Sequence, residues 1–94
     1  MTTMIARHTV SDYGKWKSVY DDLAPVRKES GVIGASVGRD PDDGNTIIVV
    51  HRFNDLDAAR AFAQSKDLKE AMAEAGVVGA PEFWFAEEVE QTPY

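Results

Sequence analysis

The segment Thr46–Phe53 holds Ile47, Ile48, Val49 and Val50 in an unbroken β-branched run, and no other feature of the chain constrains its fold as strongly. β-Branched side chains fit a pleated strand better than a helix. Successive strand residues point to opposite faces, so Ile47 and Val49 face one way and Ile48 and Val50 the other. The strand is apolar on both sides and needs cover on both.

The rest of the chain supplies one kind of cover. Met4–Val10 is a short apolar stretch interrupted by Arg7 and His8 and reads as a first strand. Ser11 or Asp12 then offers a helix N-cap. From Tyr13 to Ser30, Trp16, Val19, Tyr20, Leu23, Val26 and Arg27 recur at three- and four-residue steps, which puts them on one stripe of a helix, with Gly31 as its stop. Pro25 interrupts this stripe, because its ring crowds the carbonyl of Asp21 and it has no N–H to donate, so a break is expected at Asp21–Ala24. Val32–Arg39 alternates around small residues, and Asp40-Pro41-Asp42-Asp43-Gly44-Asn45 is a hairpin connection to Thr46–Phe53. Asn54 or Asp55 caps a helix with Leu56, Ala59, Phe62 and Ala63, and Ser65 caps a second with Leu68, Ala71, Met72 and Ala75. Gly76, Gly79 and Pro81 are expected to end it before a last strand, Phe83–Val89.

Strand, helix, strand, strand, helix pair, strand is the order of an α+β, ferredoxin-like domain: a four-stranded antiparallel sheet in spatial order 4-1-3-2 with its helices on one face. The other face is left bare. A second copy of the chain is the simplest cover for it, since a two-fold pair buries the same patch twice. Each buried Val or Ile contributes roughly 1.5–3 kcal/mol, so several per subunit outweigh an association cost on the order of 4–15 kcal/mol. A homodimeric α+β barrel is therefore expected, with residues 1–94 as one domain and 91–94 as a fraying tail.

Composition removes several classes of function. Sixteen acidic against ten basic side chains give a net charge of −6, which repels nucleic-acid phosphates and anionic lipid surfaces. There is no 18-residue apolar run and no basic-then-apolar leader, so a cytoplasmic protein is expected, with neither nucleic acid nor membrane as partner. The chain has no cysteine, which excludes disulfides, thiolate nucleophiles and cysteine-ligated metal or iron–sulfur sites.

Ile5-Ala6-Arg7-His8 with Asp12-Tyr13-Lys15-Trp16, Val50-His51-Arg52-Phe53-Asn54-Asp55-Leu56 with Ala59-Arg60-Ala61-Phe62, and Ala75-Gly76-Val77-Val78-Gly79 together resemble the dimeric α+β barrel superfamily. Within it, the chain is similar to the small proteins grouped with antibiotic biosynthesis monooxygenases and often labelled cyclases. The resemblance spans nearly the whole chain and implies the barrel; superfamily members include oxygenases, isomerases, decarboxylases, polyketide cyclases, heme degraders and ligand-binding modules. The heme-degrading branch carries a helix histidine after the third strand and an asparagine on the first. Here those places read Phe62 and Ala63, and Arg7 or His8, so the resemblance does not extend to heme degradation.

The chain has two histidines, the side chains suited to proton transfer near neutral pH. Antiparallel pairing of the first and third strands puts His8 and His51 on the order of 10–15 Å apart at ~3.3 Å per residue, too far for a dyad or a shared metal. His51 is either a base or substrate contact, or a buried strand residue satisfied by a carbonyl or carboxylate; the same two readings hold for His8. Arg7 and Arg52 flank them and are candidates for stabilising an enolate or carboxylate, against plain surface pairing. Trp16, Tyr20, Phe53, Phe62 and Trp84 are candidate ligand contacts, against a role as simple core. The expected function is a cofactor-independent monooxygenase or cyclase for a small aromatic or polyketide-like molecule, with His51 as base. The alternative is a barrel that binds a small hydrophobic ligand without reaction.

Overall fold

A computed structural model describes residues 1–94. The elements are β1 (Thr2–Val10), α1 (Tyr13–Asp22), α2 (Ala24–Glu29), β2 (Val32–Arg39), β3 (Thr46–Phe53), α3 (Leu56–Ala63), α4 (Lys66–Glu74) and β4 (Val77–Glu87). Local chemistry sets the helix starts. The side chains of Asp12, Asp55 and Ser65 accept hydrogen bonds from the backbone N–H groups of Gly14, Ala58 and Leu68, at 3.0, 2.8 and 3.2 Å. The expected break falls at Leu23: Pro25 sits in the first turn of α2, where a missing N–H costs nothing.

The four strands form one antiparallel sheet in the order β2-β3-β1-β4, which is the expected order read from the other edge. Residues Met4, Ala6 and His8 of β1 stand opposite His51, Val49 and Ile47 of β3. This register turns all six toward the helices, where every one is buried. On the helix-free face, Ile48 and Val50 are half-buried and Trp84 is 46% exposed. The two-sided apolar character of β3 is thus real, and one layer of helices answers only half of it.

The last strand departs from expectation. It starts at Val77, directly after α4, rather than at Phe83, and ends at Glu87. Gly79 and Pro81 are strand breakers in sequence, yet here they sit in a bulge. Arg7 pairs with Glu82 and Thr9 with Val78, so three β4 residues (79–81) lie across from His8 alone. A bulge on an edge strand accepts a proline, and Gly79 takes a φ of 75° there. The turn from α4 into β4 depends on Gly76, whose φ is 80° and where a Cβ would come within 2.7 Å of the Ser11 hydroxyl. Residues 88–94 carry no helix or strand.

The core divides into two clusters on the helix side. Ala6, Val10, Trp16, Ile47, Val49 and Ala75 pack at one end, and Met4, Phe53, Ala59 and Phe62 at the other. Phe53 is fully buried and anchors the second cluster. Phe53→Ala should lower stability by about 3–5 kcal/mol, read from urea denaturation; a change under 1 kcal/mol would show that this end of the core collapses around the loss.

Candidate functional site

A cleft opens between the two core clusters, floored by the sheet and walled by the helices. Met4, Ala6 and His8 of β1 and Val49 and His51 of β3 form the floor. Trp16, Val19 and Tyr20 of α1, Leu23, and Arg27 of α2 form one wall, and Phe62, Leu68, Ala71, Met72 and Ala75 the other, with Phe83 at the side. Its cavity volume is about 50 Å³. That is room for one or two waters.

Aromatic rings line the cleft as a continuous series. His8 lies 5.6 Å from Trp16, Trp16 stacks on Tyr20 at 5.0 Å, Tyr20 lies 6.3 Å from His51, and His51 lies 5.5 Å from Phe62. Trp16 and Tyr20 face the same way because they are four residues apart on α1. The two histidines share a face because β1 and β3 pair four residues out of step at those positions: His51 is opposite Met4 and His8 is opposite Ile47. They stand at the two ends of the cleft with Ala6 between them.

Both imidazoles are nearly dry, His8 at 7% exposure and His51 at 5%. None of their four ring nitrogens hydrogen-bonds to another protein group. Leaving a buried donor or acceptor unpaired costs about 1–3 kcal/mol, a cost the fold carries at both rings. Burial pushes His8 below its ordinary value of 6.5. Burial first, and then the positive charge of Arg27, push His51 down to about 4. Both rings are therefore neutral at pH 7.

Of the side chains singled out from sequence, the structure brings His8, His51, Trp16, Tyr20 and Phe62 together around one cleft. Phe53 lies beneath it, packed on Phe62 at 5.9 Å. Arg7, Arg52 and Trp84 lie outside this cleft. Alternation along a strand turns the neighbour of an inward residue outward, so Arg7 and Arg52 point to the helix-free face. There they meet Glu82 at 3.4 Å and Glu88 at 3.3 Å. Trp84 faces the same way, opposite Ile5. The guanidinium in the cleft belongs instead to Arg27, which sequence reading placed on the helix stripe without assigning it a role. A long cation recurring in phase with Tyr20 and Leu23 was the available signal.

A family model described as antibiotic biosynthesis monooxygenase matches residues 14–74. No curated protein matches the chain. Among solved structures, the chain is similar to SnoaB, a cofactor-independent oxygenase from Streptomyces nogalater. To an asparagine-to-alanine variant of SnoaB it is 25% identical, with a TM-score of 0.76 over 99% of this chain and 97% of that one. To another SnoaB structure it is 18% identical, with a TM-score of 0.79 over the same shares. It is also similar to Rv0793 from Mycobacterium tuberculosis, at 15% identity and a TM-score of 0.73 over 96% of each chain.

The depressed pKa of His51 has a consequence for stability. A group that binds protons more weakly in the folded state favours unfolding as pH falls below its unfolded value. The His51 contribution is therefore complete above pH 6.5 and is lost as pH falls from 6.5 toward about 4. At pH 5 the loss from His51 comes to about 2 kcal/mol, and His8 acts in the same direction. Urea denaturation between pH 7 and 5 should show this decline, and His51→Leu should remove most of the His51 share; an equal slope in the variant would show that the imidazole is solvated.

Proposed function

Because the chain belongs to the antibiotic biosynthesis monooxygenase family, we propose that it oxygenates a small aromatic substrate in the cleft between His8 and His51, using no cofactor. The observation that carries this reading is the buried, neutral His51 imidazole, which lines an aromatic cleft and whose two ring nitrogens have no protein hydrogen-bond partner. Similarity to SnoaB, a cofactor-independent oxygenase, supports it.

In the proposed reaction, His51 takes the proton of a phenol or of an enolisable ring carbon. A free phenol has a pKa of about 10 against about 4 for His51, a gap on the order of 8 kcal/mol. The anion and the imidazolium formed beside it offset much of that gap by their mutual attraction in a dry site. The anion then gives one electron to O2, and the carbon radical and superoxide combine into a C–O–O⁻ group. A proton returned from His51 makes the hydroperoxide, which loses water to leave a ring C=O. One oxygen atom ends in the product and the other in water.

A ring ligand needs more space than the resting cleft offers. A benzene-sized guest occupies a cavity of about 150 Å³, against about 50 Å³ here. The yielding layer is α4, none of whose side chains is fully buried and whose Leu68 and Met72 line the cleft. Methionine adapts its shape readily.

The non-catalytic reading keeps one supporting observation, the low basicity of His51. Oxygen uptake separates the two. With 1-naphthol and a panel of bicyclic and tricyclic phenols, the protein should accelerate O2 consumption and place one ¹⁸O atom from ¹⁸O2 in the quinone product. His51→Ala should slow this by about 10²–10⁴-fold. Binding of the panel with no uptake above the protein-free rate would make this a binding module.

The helix-free face is assigned, in the same proposal, to a second copy of the chain. Ile5 and Val50 are cross-strand neighbours there, with Ile48 and Trp84 beside them. Val50→Glu should convert a dimer to a monomer in sedimentation at micromolar concentration; a wild-type monomer would refute the barrel.

A further inference from the structure

Arg27 is the one permanent charge in the cleft, and it has no counter-ion. The residue is 9% exposed, yet none of the ion pairs in the molecule includes it: no carboxylate oxygen lies within 4 Å of its guanidinium. Its one side-chain hydrogen bond goes to the backbone carbonyl oxygen of Tyr20, at 2.5 Å. The guanidinium carbon lies over the Tyr20 ring, 3.7 Å from its centre. A guanidinium has five N–H donors and cannot lose its proton, and the nitrogens of Arg27 that make no protein hydrogen bond, unlike those of the two histidines, keep accessible surface and are free to meet an acceptor.

The surroundings narrow what that is. Apart from His8, His51 and Arg27, the lining is apolar or aromatic. Both imidazoles are neutral at pH 7 and compete for no anion. The contact with the Tyr20 ring and the hydrogen bond to its carbonyl anchor the fork, leaving its unused N–H groups for a planar oxyanion. We infer that the cleft selects an aromatic ligand bearing an oxyanion, and that Arg27 is the residue that holds this group beside His51. The inference rests on the cleft being the ligand site, as proposed above, and not on any reaction with oxygen.

The alternative is that Arg27 only ties the α1–α2 break together through Tyr20. The preference for an anion distinguishes them, and it cannot come from the outer surface. The groove next to the cleft, which shares Val19, Leu23 and Ala71 with it, carries Asp22, Asp67, Glu70 and Glu74. Those carboxylates disfavour an approaching anion, so any selectivity for one originates inside.

The test measures binding of 2-naphthoate and of 2-naphthamide, which share a ring system and differ in charge, by calorimetry at pH 7. Wild-type protein should bind the acid about 10- to 100-fold tighter than the amide. Arg27→Gln, or Arg27→Met if the first variant does not fold, should erase that preference, and Arg27→Lys should keep part of it. Equal affinities in the wild type, or a preference that survives in the neutral variants, would overturn the inference. A third ligand, 2-naphthol, identifies the source of the charge. Appearance of the naphtholate absorption band on binding at pH 8, lost in Arg27→Gln, shows that the oxyanion forms on the ligand in the cleft; a band absent throughout, with naphthoate still preferred, shows an acid group brought in. Preference for naphthoate without oxygen uptake from any phenol leaves this inference standing and removes the oxygenase reading, and uptake without the preference does the reverse.

Discussion

The pairing of β1 with β3 is the constraint from which the rest of the molecule follows. Opposition of Met4 to His51, Ala6 to Val49 and His8 to Ile47 decides which residues meet the helices and which meet the outside. A slip of one residue would invert one strand relative to the other, taking either His51 or His8 out of the cleft and bringing Arg52 or Arg7 in. Hydrophobic burial enforces the register: Met4 of β1 and Ile47 and Phe53 of β3 are almost completely enclosed, and the slipped arrangement would expose those of whichever strand is inverted. The chemistry of the cleft is thus held in place by apolar residues that take no part in it.

The cleft tolerates polarity in an unusual form for so small a chain. Two imidazoles stay neutral because burial disfavours their charged forms, while the guanidinium of Arg27 stays charged because it has no accessible neutral form. Stacking on Tyr20 provides part of the solvation that water would otherwise give, since the face of an aromatic ring attracts a cation. The positive field of Arg27 in turn keeps His51 unprotonated. Burial first, and this fixed charge second, therefore hold His51 neutral.

Much of this was legible in the sequence, and the reasons are physical. Periodicity of two placed His51, Val49 and Phe53 on one strand face, and periodicity near 3.6 placed Trp16 and Tyr20 on one helix face, so the ring series followed once strand met helix. The break before Pro25 was legible because proline has no N–H. The start of β4 was not, since Gly79 and Pro81 break strands on average and only the bulge opposite His8 makes them acceptable. Arg27 stands legibly on the right stripe, but its place in the cleft is not legible, because a charge in a sequence is normally a solvent signal. Adjacency to the histidines does not bring Arg7 and Arg52 into the cleft, because neighbours along a strand point apart.

Ala6 lies on the floor midway between the two imidazoles, and its side chain is a single methyl group. The depth available to a guest above the sheet is limited at that point by one carbon atom. Glycine there would deepen the chamber, and valine or leucine would fill it, without shifting either ring from its own strand position. The side chain at position 6 thus sets the depth of the cleft independently of the imidazoles at its two ends.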